Sequence, residues 1–439
     1  MAAANVPHTR IMVGLVLGAA VGSAANIAVS RGLLDANSLG WVVRNVTRPI
    51  GDVFLRLLIM TVVPLVFASL AVGVAKLGDL GKLGRMGALT FMYFIFTMGM
   101  GVVIGLTLVN IVAPGEGLPE DTVLRLRKQF DTSKNSAKAV PAEFGVQTFV
   151  DIVPRNPFQA AVDMNMLGII FFALLVGIGT TTLSAARAET MLNFLEAVGD
   201  LMVFIIGLAM RIAPFGVFAL IFSTTAEFGF DLLVMLGKYV GVVLAGLAIQ
   251  MFVVLPLLVW FLGRMNPWVF FTKSRAVIVT AFSTSSSNAT LPTSISTAEK
   301  ELGVPAPIAG FVLPLGATMN MNGTALFEGV TAVFLAQVMG VNLSLAQQAI
   351  VVVLSVLTAV GAAGVPGGSI PLLAMVLASV GVPPESVFII LGVDRILDMC
   401  RTTLNVVGDL TAAVFIARTE RGRVYGEVTD SAEAPPAID

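Results

Sequence analysis

Apolar residues along this chain gather into long runs separated by short polar stretches, and the length of each run limits what it can be. A helix crossing about 30 Å of hydrocarbon takes about 20 mostly apolar residues. Runs that meet this length begin near Ile11 (IMVGLVLGAAVGSAANIAV), Val53, Leu89, Phe158, Phe194 and Leu232, and each predicts a spanning helix. The first run has a single flanking Arg and an apolar core longer than the about 7–15 residues of a signal peptide, so it predicts an uncleaved span. The longest polar stretch, Pro114 to Asn156, reads as a solvated surface loop. The end of the chain after Glu420 (RGRVYGEVTDSAEAPPAID) is polar and contains proline, which predicts a disordered tail.

After about Met265 the pattern changes. Apolar runs become half-length and are broken by glycines and small polar residues: VIVTAF leads into STSSSNATLP, GFVLPLGAT into MNMNGT, and GAAGVPGG sits between AIVVVLSVLTAV and SIPLLAMVLASV. Taken singly, SSSN and GVPGG are ordinary extramembrane loops. Three such interruptions between half-length apolar pieces point instead to backbone buried at membrane depth, which is tolerated only where protein or a water-filled cavity satisfies it. The pattern predicts two re-entrant hairpins with tips at Ser285–Ser287 and Ala363–Gly367, around a helix unwound at Asn320–Asn322. Short, Gly- or Pro-interrupted segments in corresponding positions mark the binding site of a transporter.

Composition narrows the class further. Hydrophobic residues make up 56 % of the 439, and charged residues only 12 %, against about 25 % in a soluble domain. The net charge is −1 and no basic stretch is long enough to track a phosphate backbone, so nucleic acid is a poor partner. The single cysteine, Cys400, excludes a disulfide within the chain and any cysteine metal cluster. The single histidine, His8, leaves a Ser–His dyad, a His-ligated zinc or a haem axial ligand without a second candidate. The composition predicts an integral membrane protein that is not a hydrolase.

The last apolar segment, VFIILGVDRILDMCRTTLNVVGDLTAAVFIA, carries Asp394, Asp398, Arg401, Asn405 and Asp409. At about 100° per residue these five fall within an arc of about 80°, with Thr402 beside it. Each charge at the centre of a spanning helix costs about 2.5–3.5 kcal/mol, so this face must turn toward protein or a wet cavity, where such residues mark substrate or ion pathways. An Asp398–Arg401 ion pair at i, i+3 would account for two of the four charges and leave Asp394 and Asp409 over. The chemistry also suggests a ligand. Arg401 offers a fork for a carboxylate, Asp398 can take an ammonium group, and Asn405 has a donor and an acceptor for a second carboxylate. Asp409, with carbonyls freed at 320–322, is hard-oxygen chemistry for a small cation. A zwitterionic acidic amino acid satisfies all of these groups, whereas a plain dicarboxylate would leave Asp398 unpaired.

In these residues and the motifs around them, the sequence resembles the dicarboxylate/amino-acid:cation symporters, the family of the excitatory glutamate transporters and their prokaryotic homologues. The resemblance covers nearly the whole chain. It includes FLRLLIMTVVPLVFASL, NPFQAAVDMNMLGIIFFALLVGIG and RIAPFGVFALI, and is densest in SSSNATLP, NMNGTALFEG, GAAGVPGG and VDRILDMCRTTLNVVGD.

The resemblance implies an all-α polytopic membrane protein with eight transmembrane helices and two re-entrant helical hairpins, working as an elevator in a homotrimer. Residues 1–264 would supply six spans, with the scaffold largely from spans 1, 2, 4 and 5 and with spans 3 and 6 on the transport side. Residues 265–420 would form the substrate- and ion-binding core, and 421–439 a disordered cytoplasmic tail. Substrate would be held by Arg401 on the side-chain carboxylate, Asp398 and Thr402 on the amino group, and Asn405 on the α-carboxylate. Thr324 supports the side-chain carboxylate, and Ser286, Ser287 and Val365 contribute from the hairpins. One sodium site would use Asp409 with Gly316, Asn320 and Asn405, and another the carbonyls near Thr318 and Met321. Asp394 is a further acid on the same helix.

Two departures from the family pattern matter. Where the family reads NMDGT, this chain has Asn322, and the accompanying third-span positions are Phe94 and Met98, leaving Thr97. Losing one anion and two oxygens argues against a third sodium site. Glu328, in TALFEGVTAVF, stands where many prokaryotic members have Gln. A buried carboxyl is cheaper neutral than charged, so it is the candidate proton carrier.

The resulting expectation is secondary active symport of aspartate or glutamate, driven by sodium with a proton as second coupling ion. Taken with the composition, the site residues predict a protein that is not an enzyme and has no cofactor, with sodium ions as coupling ions. The alternatives are a proton-coupled C4-dicarboxylate carrier of the same fold and, behind it, an anion channel. Lys76, Lys82 and Arg85, then Arg264, Lys273 and Arg275, then Arg418, Arg421 and Arg423, fall on one side if both termini are cytoplasmic in the plasma (inner) membrane. Arg31, Arg44 and Arg48 fall on the other.

Overall fold

The computed structural model describes residues 8–78, 84–117, 123, 124, 126, 153–163, 166–228, 231–360, 362, 364 and 367–424. Every regular element among them is helical. The first part of the chain forms α1 (His8–Ser30), α2 (Ala36–Val42), α3 (Arg48–Ile59), α4 (Val62–Gly78), α5 (Gly84–Val112), α6 (Pro157–Val162), α7 (Met166–Thr181), α8 (Ala185–Phe228), α9 (Asp231–Ile249) and α10 (Leu255–Phe261). Wider π-helical turns at Val43–Thr47 and Gln250–Val254 join α2 to α3 and α9 to α10. Five stretches are long and apolar enough to cross a membrane: Val13–Ser30, Ala36–Ala75, Arg85–Val112, Ala185–Glu227 and Leu233–Phe261. They coincide with five of the six runs read from the sequence.

The run beginning near Phe158 behaves differently. It is divided into α6, which closes at Asp163, and α7, so neither piece reaches the length of a span. Most of the predicted Pro114–Asn156 loop lies outside the described residues.

Small residues set how closely these helices approach. Gly14, Gly18 and Gly22 recur every four residues on α1 and meet α8. A methyl at Gly18 would lie 2.7 Å from the Phe218 carbonyl oxygen, so this contact is nearly backbone on backbone. α3 and α4 also pack on α8, and α7 lies along α4.

The rest of the chain forms α11 (Pro267–Lys273), α12 (Arg275–Thr284), α13 (Ser287–Lys300), α14 (Ala306–Met319), α15 (Asn322–Val338), α16 (Leu345–Val360), α17 (Ile370–Ser379) and α18 (Leu391–Val424). Between α12 and α13 the chain reverses in two residues. Ser285 takes a left-handed conformation at φ 49°, and extended Ser286 caps α13 by accepting from the Ala289 N–H. The outer ends of the pair also meet, where the Lys273 Nζ donates to the Glu301 carbonyl at 2.7 Å. α14 and α15 are halves of one helix broken at Asn320 and Met321. The predicted unwinding is therefore one residue narrower, because Asn322 already opens α15. α16 and α17 face each other across 361–369, where Gly364 and Gly367 are described but Ala363, Val365 and Pro366 are not. The tips of the two pairs touch, with Ser286 Oγ donating to the Gly364 carbonyl at 2.6 Å.

α15 is buried along all of its length except Gln337, which places it at the centre. α5 and α9 cover its flanks, and α18 crosses it beside the helix break. α18 extends to Val424, four residues into the segment expected to be a disordered tail. Residues 425–439 lie outside the described residues.

Candidate functional site

The stripe on α18 faces inward. Asp394, Arg395, Asp398, Arg401, Thr402, Asn405 and Asp409 are all buried, with Arg401 only 1 % exposed. The arc read from the sequence therefore corresponds to a packed face, with hairpin tips and broken helix opposite.

Four of these residues form one ionic cluster. Arg401 Nη1 donates to Asp394 Oδ1 at 2.7 Å, and its Nη2 lies 3.0 Å from Asp398 Oδ1. Arg395 Nη1 lies 2.9 Å from the other oxygen of Asp398, and its Nη2 donates to Ser285 Oγ at the first hairpin tip, also at 2.9 Å. The backbone N–H of Gly367 reaches Asp398 Oδ2 at 3.3 Å from the second tip. The Arg401 guanidinium carbon sits 4.2 Å from the centre of the Phe327 ring, a cation–π contact that holds the fork flat. Two aspartates and two arginines make the cluster neutral, which offsets the cost of burying four charges.

One turn further along α18 the chemistry changes from ionic to amide. Asn405 Oδ1 accepts from the Gly323 N–H at 2.7 Å, and its Nδ2 donates to Thr324 Oγ1 at 3.3 Å. Asp409 Oδ1 accepts from Asn320 Nδ2 at 2.9 Å. Gly316 is in the same place: a methyl there would lie 2.5 Å from Asp409 Oδ1, so only glycine lets α14 close on this carboxylate. No described Lys or Arg is within ion-pair distance of Asp409. The oxygens of Asp409, Asn320 and the opened backbone are the donor set a small hard cation takes.

Glu328 lies deeper on α15 and is completely buried. Thr358 of α16 donates to its Oε2 at 2.6 Å, while Oε1 has no partner. It too lacks a cation within ion-pair distance among the described residues.

The space left among Ser287, Thr324, Asp398, Arg401, Thr402 and Asn405 is about 10 Å³, room for about one water. With these contacts closed, the space is too small for an amino acid. From the first tip Ser285 and Ser287 line this cavity, whereas Ser286 is buried against the Gly364 carbonyl and does not line it, and Val365 lies outside the described residues. Met321 is buried against Asn405, with Sδ 3.2 Å from Nδ2. The Thr318 side chain is instead exposed and donates back to the Leu315 carbonyl. Of the departures, Phe94, Thr97, Met98 and Asn322 are fully buried, and neither amide atom of Asn322 has a partner.

Two readings from the sequence are corrected. Arg401 makes its shortest bond with Asp394, seven residues away, rather than pairing with Asp398 alone, because its side chain reaches along the helix. The argument that a dicarboxylate would strand Asp398 also fails, since Arg395 already holds that carboxylate. Arg395, Ser285 and Thr358 were missed as site residues. The charge of Arg395 was visible beside the stripe and Ser285 stood in the predicted tip, but its bond to Arg395 had no signal in the sequence, and neither did Thr358.

The chain matches the Sodium:dicarboxylate symporter family over residues 8–419. It is 38 % identical over 416 residues to a proton/sodium-glutamate symport protein of Bacillus subtilis (strain 168), covering 94 % of this chain and 92 % of that protein. A proton/glutamate-aspartate symporter of Escherichia coli (strain K12) is 36 % identical over 411 residues, covering 94 % and 92 %. A C4-dicarboxylate transport protein of B. subtilis is 31 % identical over 374 residues, covering 85 % and 87 %.

Proposed function

Because the chain belongs to the Sodium:dicarboxylate symporter family, we propose that it is a multi-pass membrane symporter of acidic amino acids, driven by sodium together with a proton carried on Glu328. Relatives named for glutamate and aspartate match it over nearly all of its length. The observation that carries the reading is the distribution of buried charge. The Asp394–Arg395–Asp398–Arg401 cluster is neutral, while Asp409 and Glu328 lie nearby without a described counter-charge.

That distribution explains coupling. An acidic amino acid brings two carboxylates and one ammonium, a net charge of −1, into a site already neutral. The ammonium takes an Asp398 oxygen from an arginine, the side-chain carboxylate takes the freed fork of Arg401, and Asn405 and Thr402 meet the α-carboxylate and the amine. One surplus negative charge remains, in addition to Asp409 and Glu328. Buried uncompensated charges are costly, so the loaded site is stable only with cations aboard. Sodium at Asp409, sodium at the Met321 and Thr318 backbone, and a proton on Glu328 each supply one. Asn322, Phe94 and Met98 give a third sodium no anion to bind.

The movement we propose is an elevator. α1, α3, α4, α7 and α8, which pack on one another, would stay fixed in a homotrimer. α5 and the helices from α9 onward would slide with the substrate, and both hairpins would be re-entrant. Both termini would lie on the cytoplasmic side of the plasma membrane.

The runner-up is a proton-coupled C4-dicarboxylate carrier. One observation favours it: Arg395 on Asp398 neutralises the carboxylate that an amine would otherwise require. Calorimetric titration of the purified protein with aspartate, glutamate and succinate, with and without sodium and across pH, separates the two. Sodium-dependent binding of the amino acids well above succinate supports amino-acid symport, and succinate bound as tightly without sodium overturns it. Counterflow of labelled aspartate in proteoliposomes then distinguishes a carrier from an anion channel, which shows no trans-stimulation.

A further inference from the structure

The outer ends of the first hairpin, remote from the substrate cavity, flank an open surface groove of about 340 Å³. Lys273, Arg275 and Lys300 line it, together with Ala276, Thr297 and Glu301. None of these three cations takes part in a described ion pair. Lys273 spends one donor on the Glu301 carbonyl, and Arg275 spends Nε on the Thr272 carbonyl at 2.9 Å. The remaining ammonium and guanidinium donors have no described partner. Ala276 belongs to the first turn of α12, which starts without a side-chain cap, so the positive end of that helix adds to the same field.

The surroundings fix the level of this groove. The apolar stretch Leu233–Phe261 ends just before it in the chain, with Trp260 exposed at 58 %. The short α11 then carries Trp268 outward at 81 % exposure, while Phe270 on its other face is fully buried. Exposed tryptophans at the end of a spanning stretch mark the headgroup layer of a bilayer. A basic groove at that level is complementary to a phosphate-bearing lipid.

We propose that Lys273, Arg275 and Lys300 form a binding site for the phosphodiester headgroup of an anionic phospholipid. The lipid would bridge the two outer ends of the first hairpin and fix its base while the tip remains free to work at the substrate. The bland alternative is that these cations serve only to orient the chain during insertion, in which case no lipid is retained.

The full-length protein, purified in neutral detergent, is titrated with short-chain phosphatidylglycerol and phosphatidylcholine, and bound lipid is counted by native mass spectrometry. The wild type is expected to retain phosphatidylglycerol in clear preference to phosphatidylcholine. R275Q/K300Q is expected to lose that preference by about thirtyfold, as for two cations near a charged surface. R275K/K300R, which keeps the charge, is expected to retain it, and unchanged aspartate binding in both variants reports an intact fold. Equal retention of phosphatidylglycerol by wild type and R275Q/K300Q would overturn the proposal. Displacement of the lipid by millimolar inorganic phosphate would overturn it too, by showing a site for the free anion.

Discussion

Arg395 and Arg401 share Asp398, each taking one of its oxygens. If Asp398 receives the substrate ammonium, as proposed, that ammonium competes with a guanidinium for the carboxylate, while a dicarboxylate need not. Replacing Arg395 with glutamine frees Asp398 for the amine and removes a positive charge that favours dianions. R395Q should shift the ratio of aspartate to succinate affinity by about tenfold toward aspartate, a change of one buried charged hydrogen bond, measured by competition binding. Glu328 makes a separate claim. If its carboxyl carries the coupled proton, E328Q should leave substrate binding in place and flatten the pH dependence of uptake, while a wild-type pH profile would count against it. Asp409 has only Asn320 as a described partner. D409N should therefore weaken sodium binding by about a hundredfold, the scale of removing one partner from a buried ionic contact. Calorimetric sodium titration reads this directly.

At the scale of elements, the site is made from interruptions. Hydrogen-bonded helix has no backbone to spare, so the break at Asn320–Met321 is what frees the Gly323 N–H for Asn405, while the turn at Ser285–Ser286 brings the Ser285 hydroxyl to Arg395. They must also be closely packed. A β-carbon at Gly323, in the first turn of α15, would lie 2.5 Å from the Arg401 carbonyl oxygen. G323A should push α15 away from α18, with an overpacking cost of about 1–3 kcal/mol. Thermal unfolding in detergent should show a lowered midpoint together with weaker aspartate binding. An unaltered midpoint would mean that the contact is looser than described.

For the whole molecule, the question is whether its two sets of helices move past each other. α8 and α18 meet where a β-carbon at Gly392 would lie 2.8 Å from Ile221 Cγ1, one bond from the Ile221 β-carbon, so cysteines at the two positions fall within bridging range. Cys400 is the chain's single cysteine, so I221C/G392C is built in a C400A background. Oxidation should abolish uptake, leave aspartate binding intact, and be reversed by reductant. Undiminished uptake by the cross-linked protein would mean that these helices do not slide, and the elevator would have to be given up.

Periodicity and composition were sufficient for five of the six spanning runs, because lipid imposes a length and a polarity on any helix that crosses it, but not for the run from Phe158, which divides into two short helices. The same physics exposed the α18 stripe, since charges on one arc of a spanning helix need an interior to face. The half-length pieces after Met265 located the breaks to within a residue at Asn320, for glycine and small polar residues rarely interrupt apolar helix without a use. Pairing was another matter. That Arg401 reaches Asp394, that Arg395 and not a substrate amine holds Asp398, and that Thr358 donates to Glu328 all depend on rotamers and on helices distant in the chain. A one-dimensional pattern states which groups must be satisfied, and only the packed helices decide which partner satisfies each of them.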